Sequence, residues 1–358
     1  MTKRSRLLIC LLYLPAGAGC SGPHQEPPAE SLQLTKLEPI HLVETDSLYV
    51  GKPAALALDP DNGNLYVSDG FWGRVLAFSP SGTLDRVYGK RGEGPGEISD
   101  PGAVAVHNGE LLVADVGGQR FVRYDRATGE FNGGVRFDGV LTSMQPHGNK
   151  VWLGIQNRPR RTSLGVWSPE ASSIRYLGEL PGEFLESEPL AGIYNGIQVV
   201  EWSDTVLAGF MGLNRLVRLR ADGSTIDTLP IPVRKRRGEM KNIVKRLGGM
   251  EFPEMFSANS ALFRLHRLPS GSFAAVHYDQ TISGDLITAN VYLSILSGDF
   301  KTTCPDHAIE VAADAQPYTA FRGDTLFVLQ QKVEGQRASA FVDRYVIGEA
   351  ACPSIGRA

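Results

Sequence analysis

Residues 52–89 read KPAALALDPDNGNLYVSDGFWGRVLAFSPSGTLDRVYG, and residues 100–137 read DPGAVAVHNGELLVADVGGQRFVRYDRATGEFNGGVRF. The two stretches share one order of parts. Pro53 or Pro101 leads into an apolar strand, a Gly-bearing turn, and a strand that ends in Asp69 or Asp115. A short polar loop, an alternating strand opened by Arg74 or Arg120, a second turn and a last strand follow. Pro is tolerated at the first position of a strand, where no ladder bond is lost. Asn62-Gly63 and Asn108-Gly109 suit tight hairpins, which need residues at positive φ. Four strands joined by short turns make one antiparallel blade, and a repeat of this length and punctuation points to a propeller.

The second strand of each blade carries the densest apolar run and serves as a marker. Markers fall at Leu65–Asp69, Leu111–Asp115, Val151–Ile155, Val206–Phe210, Phe273–His277 and Leu326–Gln330, spaced 46, 40, 55, 67 and 53 residues apart. Each follows a turn signal, from Asn62-Gly63 to Gly323-Asp324. The predicted fold is therefore all-β: a six-bladed β-propeller over 39–348, with a tail at 349–358. With 42% hydrophobic residues and 40 glycines, the 358-residue chain can support one large β domain. A propeller must close its ring. Ile40–Glu44 has no partner within the first blade and is expected to pair with Phe341–Ile347, leaving no open edge at the seam.

The first 19 residues have a basic start, eight apolar residues from Leu7 to Leu14, and then small residues. Eight residues cannot cross a hydrocarbon core of about 30 Å, so the segment reads as an export signal. Residues 20–38 are rich in Pro, Glu, Gln and Ser and read as a flexible tether. Removing the leader with Lys3, Arg4 and Arg6 leaves 33 basic against 39 acidic side chains. A mildly acidic body argues against generic nucleic-acid binding. Cys10 leaves with the leader and Cys20 stands at its end, so the domain retains Cys304 and Cys352. In an oxidising compartment these two are expected to form a disulfide.

Blades one and two resemble NHL repeats, through Pro53, Gly63, Tyr66-Val67-Ser68-Asp69, Arg74-Val75 and Gly82, and through Pro101, Gly109, Leu112-Val113-Ala114-Asp115, Arg120-Phe121 and Gly129. The whole chain resembles six-bladed propeller lipoproteins of bacterial envelopes. Ala18-Gly19-Cys20 resembles the end of a lipoprotein cleavage box, with Gly17 where that box usually has Leu. The resemblance implies a lipid-modified Cys20, a membrane anchor, and a domain facing periplasm or cell surface. Ordinary signal cleavage near the same place is the alternative.

Function in propellers concentrates where second-strand loops and blade connections converge at one end of the channel. The candidate rim residues are Asp69, Trp72, Arg91, Asp115, Asn157, His277, Asp279 and Gln330. The bland reading of Asp69 and Asp115 is that each satisfies loop donors or pairs with the nearby Arg. Some NHL-like propellers are enzymes, including a lyase with metal-bound histidines and lactonases with a central calcium. That resemblance implies, as the alternative, a calcium-dependent hydrolase or lyase with Asp69, Asp115, Asn157 and Asp279 as oxygen ligands. A zinc set is not evident: His277 lies at a second-strand end, His107 and His147 at the opposite turns, and His266 on an inner strand. No G-x-S-x-G is present, and Gly92–Gly96 precedes no helix, so it is not a phosphate loop.

Residues 234–248 hold seven basic and one acidic side chain, with Met240, Ile243, Val244 and Leu247 at helical spacing. This predicts a short amphipathic helical insertion between blades four and five. The favoured function is a non-catalytic, envelope-tethered binding module with no cofactor. It is expected to act as a monomer and to bind an envelope protein, peptide or glycan across the loop face.

Overall fold

The computed structural model describes residues 31–45, 48–157, 159–194, 196–239, 245–246, 249–284, 286–312, 316–334 and 337–352. Its strands form six four-stranded antiparallel sheets. The chain opens with β1 (Ser31–His41). Blade one is β2 (Pro53–Leu58), β3 (Leu65–Asp69), β4 (Arg74–Phe78) and β5 (Leu84–Tyr88). Blade two is β6 (Pro101–His107), β7 (Glu110–Asp115), β8 (Arg120–Asp125) and β9 (Phe131–Arg136). Blade three is β10 (Val140–His147), β11 (Lys150–Asn157), β12 (Thr162–Trp167) and β13 (Arg175–Glu179). Blade four is β14 (Ile197–Trp202), β15 (Thr205–Phe210), β16 (Arg215–Arg220) and β17 (Thr225–Pro230). Blade five is β18 (Ala261–Arg267), β19 (Phe273–Ser283), β20 (Leu286–Leu296) and β21 (Thr303–Ile309). Blade six is β22 (Tyr318–Arg322), β23 (Thr325–Glu334) and β24 (Arg337–Ala351), completed by β1. All six second-strand markers coincide with β3, β7, β11, β15, β19 and β23.

The apolar core is divided among six interfaces. One cluster joins Ile40, Leu56, Val67 and Leu76 to Leu329 and Val342, between blades one and six. Others join blades one and two through Tyr66, Tyr88 and Tyr124, and blades two and three through Phe121, Leu153 and Trp167. Three more close the ring across blades three and four, four and five, and five and six. This arrangement explains why β3 is buried along its whole length: a second strand meets a neighbouring blade on each face. Each fully buried Leu or Val there contributes about 1.5–3 kcal/mol. The outermost β5 alternates instead, with Asp85 and Val87 exposed, as a charged sheet edge should.

Ring closure follows the predicted pairing, with Ile40 opposite Val342 and His41 opposite Phe341. The Leu42 N–H extends it by donating to the Ala340 carbonyl at 3.1 Å. The closing strand, however, begins at Ser31, so the expected tether at 20–38 is corrected over residues 31–38. The physical reason is the alternation of Leu32 and Leu34, which pack against the cluster between blades five and six. The leader, Cys20 and the first part of the tether lie outside the described residues. β24 runs on to Ala351, so the expected tail at 349–358 is a strand over its first residues. Cys304 and Cys352 are disulfide-bonded. Cys304 sits within β21 of blade five rather than in the connection leading to blade six.

Short helices occupy two connections. α1 (Gly182–Glu186) and α2 (Glu188–Ile193) lie between blades three and four, and bury Phe184 and Leu190. Between blades four and five stands α3 (Phe252–Phe256). In the basic segment, Lys245 and Arg246 are helical and residues 234–236 form bends. The predicted apolar stripe (Met240, Ile243, Val244 and Leu247) lies outside the described residues.

Candidate functional site

The residue at the end of each second strand decides what the loop end of the ring presents. In blade one, the Asp69 carboxylate is fully buried. It accepts from the backbone N–H of Gly51 at 3.0 Å, Lys52 at 2.9 Å and Phe71 at 3.1 Å. Its partner Arg74 lies 3.6 Å away and donates to the Tyr49 carbonyl at 2.8 Å. Blade two repeats the device. Asp115 accepts from the N–H of Ser99, Asp100 and Gly118 and from the Ser99 hydroxyl, and pairs with Arg120 at 3.2 Å. Arg120 in turn donates to the carbonyls of Glu93, Gly94 and Glu97. Acid and base together fasten the chain entering each blade.

Other blades solve the same problem with different residues. Asn157 donates to the Asp138 carbonyl and accepts from the Arg160 N–H. Asp279 accepts from the Arg237 N–H and the Ser260 hydroxyl. Gln330 accepts from the Ala312 N–H and donates to Asp343. Asp138, Ser260 and Ala312 all belong to incoming connections. Five of the eight rim candidates are therefore buried fasteners, each held to its own blade. Among the described residues no three His, Cys, Asp or Glu side chains gather as a metal-holding group. The three carboxylates named for calcium, Asp69, Asp115 and Asp279, form no such group among the described residues.

The burial of Asp115 works to raise its pKa, but the hydrogen bonds from Ser99, Asp100 and Gly118 win and hold it below the usual carboxylate value. A folded value below the unfolded one, about 3.9, gives stability that is complete above that pH and lost as pH falls through the folded value. Asp115→Asn should therefore melt lower than wild type at pH 7 and show a shallower loss between pH 5 and pH 2. Equal slopes for the two proteins would refute this.

His277 is buried, with no hydrogen-bond partner at either ring nitrogen among the described residues. Burial, and next the Arg236 guanidinium, hold its pKa well below the ordinary histidine value, so it is neutral at pH 7. The two remaining candidates do face solvent. Trp72 and its neighbour Phe71 are 40% and 56% exposed, and their rings meet edge-on at 4.9 Å. Arg91 donates to the Gly70 and Phe71 carbonyls at 2.6 and 2.9 Å, fixing this loop.

The basic segment holds another surprise. Arg236 is buried against Asp306 at 2.8 Å, both side chains wholly out of solvent. Asp306 also accepts from the successive N–H groups of Arg234, Lys235 and Arg236. Arg237 donates to the carbonyls of Ser257 and Gln280 and to the Thr281 hydroxyl. Within the four-residue basic run Arg236 is thus buried structure, while Arg237 is exposed but held by these bonds.

The inner strands enclose the channel. Its loop-end half, about 290 Å³, is lined by residues of all six blades, including Leu56, Val104, Leu141, Gln198, Arg264 and Tyr318. Its hairpin-end half, about 330 Å³, shares Val104, Met144 and Arg264 with the first. A register shift between Leu262 and Arg264 places Phe263 and Arg264 both on the channel wall, as a bulge re-aims side chains. Sequence reading missed Arg264 and Gln198. The available signal was a cationic side chain on an inner strand otherwise lined by apolar neighbours.

These features define an all-β ring whose loop end is braced by buried polar fasteners around a narrow, mostly apolar channel. A family model described as a 6-bladed beta-propeller (DUF5128) matches residues 30–156. Peptidylglycine alpha-amidating monooxygenase of Rattus norvegicus is 31% identical over 143 residues, covering 34% of this chain and 14% of that protein. The Mus musculus counterpart is 33% identical over 94 residues, covering 24% of this chain and 10% of that protein. Among solved structures, a member of the duf4221 family from Bacteroides vulgatus aligns with TM-score 0.64 at 12% identity, over 89% of this chain and 99% of that one. A Bacteroides fragilis protein described as exported aligns with TM-score 0.60 at 10% identity, over 89% and 96%. A gluconolactonase from Xanthomonas campestris aligns with TM-score 0.53 at 12% identity, over 88% and 90%. At such identities the likeness is one of fold.

Proposed function

We propose that this chain is a non-catalytic recognition module built on NHL-type repeats. In this reading it is exported, held at a bacterial envelope through Cys20, and receives its ligand at the loop end of the ring. The observation that carries the proposal is the engagement of the polar rim. Asp69, Asp115, Asn157, Asp279 and Gln330 are bonded to their own incoming loops. A general base or metal ligand needs a lone pair directed at substrate or ion. What the same end offers to a partner is the exposed Phe71–Trp72 pair, and aromatic side chains are the usual anchors of recognition surfaces. No helix among the described residues is long and apolar enough to cross a membrane, and in this reading attachment falls to the lipid and a tether of residues 20–30.

The test is a thermal melt of residues 21–358 with chelator and then with added calcium, beside elemental analysis of the purified protein. Less than a degree of change and no stoichiometric metal is the expected result. A large chelator-sensitive shift with one calcium per chain would overturn the module reading in favour of a calcium-dependent hydrolase or lyase.

A further inference from the structure

The geometry points to a binding site for a small organic monocarboxylate inside the central channel, with Arg264 as the anion receptor. This deepens the module reading and rests on it. Arg264 is the only charged residue lining the loop-end cavity among the described residues. Its Nε and Nη2 donate to a single acceptor, the Thr319 carbonyl, at 3.0 and 2.7 Å. Among the described residues no carboxylate pairs with it and no acceptor meets its Nη1. A guanidinium stays charged at any physiological pH, and Arg264 is half-buried on the channel wall, where a charge without a counterion costs free energy. An anionic ligand would relieve that cost and complete the two-pronged hydrogen bonding that Arg is shaped for.

Two neutral groups sharpen the choice of ligand. Gln198 is more than nine-tenths buried, lines the same cavity, and its amide has no protein partner among the described residues. Tyr318 also lines it, and burial pushes its phenol up to about 12, keeping the hydroxyl protonated and able to donate. One cation with an amide and a hydroxyl matches a single negative charge. At the hairpin end His266 is neutral at pH 7, because burial depresses it to about 4 despite its bond to the Gly323 carbonyl, and Arg322 lines that half rather than the loop-end cavity. A phosphate dianion would therefore lack a second cation in the loop-end cavity. Apart from Thr142, Tyr278 and Thr319 the remaining wall is apolar, with Leu56, Val104, Leu141 and Phe263 available to an apolar body. A volume of about 290 Å³ lies at the small end of ligand sites, which typically run about 300–1,000 Å³. Monocarboxylates with a compact ring or short alkyl body fit these constraints.

The experiment uses residues 21–358 and calorimetric titration with benzoate, benzamide and inorganic phosphate. Benzoate should bind saturably, with benzamide and phosphate at least about 10-fold weaker. Arg264→Met should weaken benzoate about 10- to 100-fold, the range of a lost charge-assisted hydrogen bond. Gln198→Leu should weaken it less and serves if Arg264→Met does not fold. Equal binding of benzamide, tighter binding of phosphate, no binding of benzoate, or benzoate affinity unchanged by both variants would overturn the site. The calcium melt separates the two readings: stoichiometric calcium sinks the module and leaves the Arg264 result standing, whereas failure of benzoate removes the channel site and leaves the module.

Discussion

Asp306→Ala should destabilise the fold by about 3–5 kcal/mol, the loss seen when one partner of a buried ion pair is removed. The Arg236–Asp306 pair is fully enclosed, so no water replaces the lost carboxylate. Arg236 would keep only neutral acceptors: the Asn214 amide oxygen and the carbonyls of Ile231 and Pro232. Three backbone N–H groups, those of Arg234, Lys235 and Arg236, would lose their acceptor as well. The geometry of Asp306 itself is special, with φ at +56°, a left-handed conformation that Asp tolerates better than most residues. Urea unfolding of wild type, Asp306→Ala and the apolar pair Arg236→Met/Asp306→Leu measures the effect. The double variant should be more stable than Asp306→Ala, because it buries no unpaired charge. A loss under about 1 kcal/mol for Asp306→Ala would show that the pair contributes little and that the segment 234–237 is held otherwise.

That pair also marks the boundary of what the residues disclose. The blades were legible because hairpin chemistry is local: Asn62-Gly63, Asn108-Gly109 and Gly323 all take positive φ or adjoin a residue that does. Second strands were legible because burial on both faces demands continuous apolar runs. Asp69 and Asp115 were read correctly in their bland form, as loop fasteners paired with Arg74 and Arg120. The first turn of the misreading was compositional. Residues 31–38 carry enough polar side chains to resemble a tether, yet Leu32 and Leu34 alternate toward blade six and pair with β24. The basic segment 234–248 disclosed a helical period but not the burial of Arg236, because its counterion Asp306 lies some seventy positions away. Arg264 escaped notice for a related reason. Only the closed ring reveals that an inner-strand side chain faces a channel and not a neighbouring blade.

Reduction of the Cys304–Cys352 disulfide should lower stability by about 4 kcal/mol, the chain-entropy value for a loop of 48 residues. The position of the bond gives that figure a structural meaning. Blade six is assembled from both ends of the domain, with β1 lying at its outer edge against β24. Cys352 follows the last residue of β24, and Cys304 belongs to β21 of blade five, so the bond staples the end of β24, against which β1 pairs, to the blade beside it. Without it, β1 and the end of β24 should loosen before the other blades, seen as faster amide exchange over residues 31–41 and 342–351. The melt of the reduced protein and of Cys304→Ser/Cys352→Ser should fall together. An unchanged melt with both thiols free to titrate would sink the prediction. In the anchored form proposed above, any pull on the lipid enters the domain through β1. The disulfide then stands where that pull would otherwise peel the ring open, which is the place where a covalent bond adds most to ladder hydrogen bonds that are individually weak.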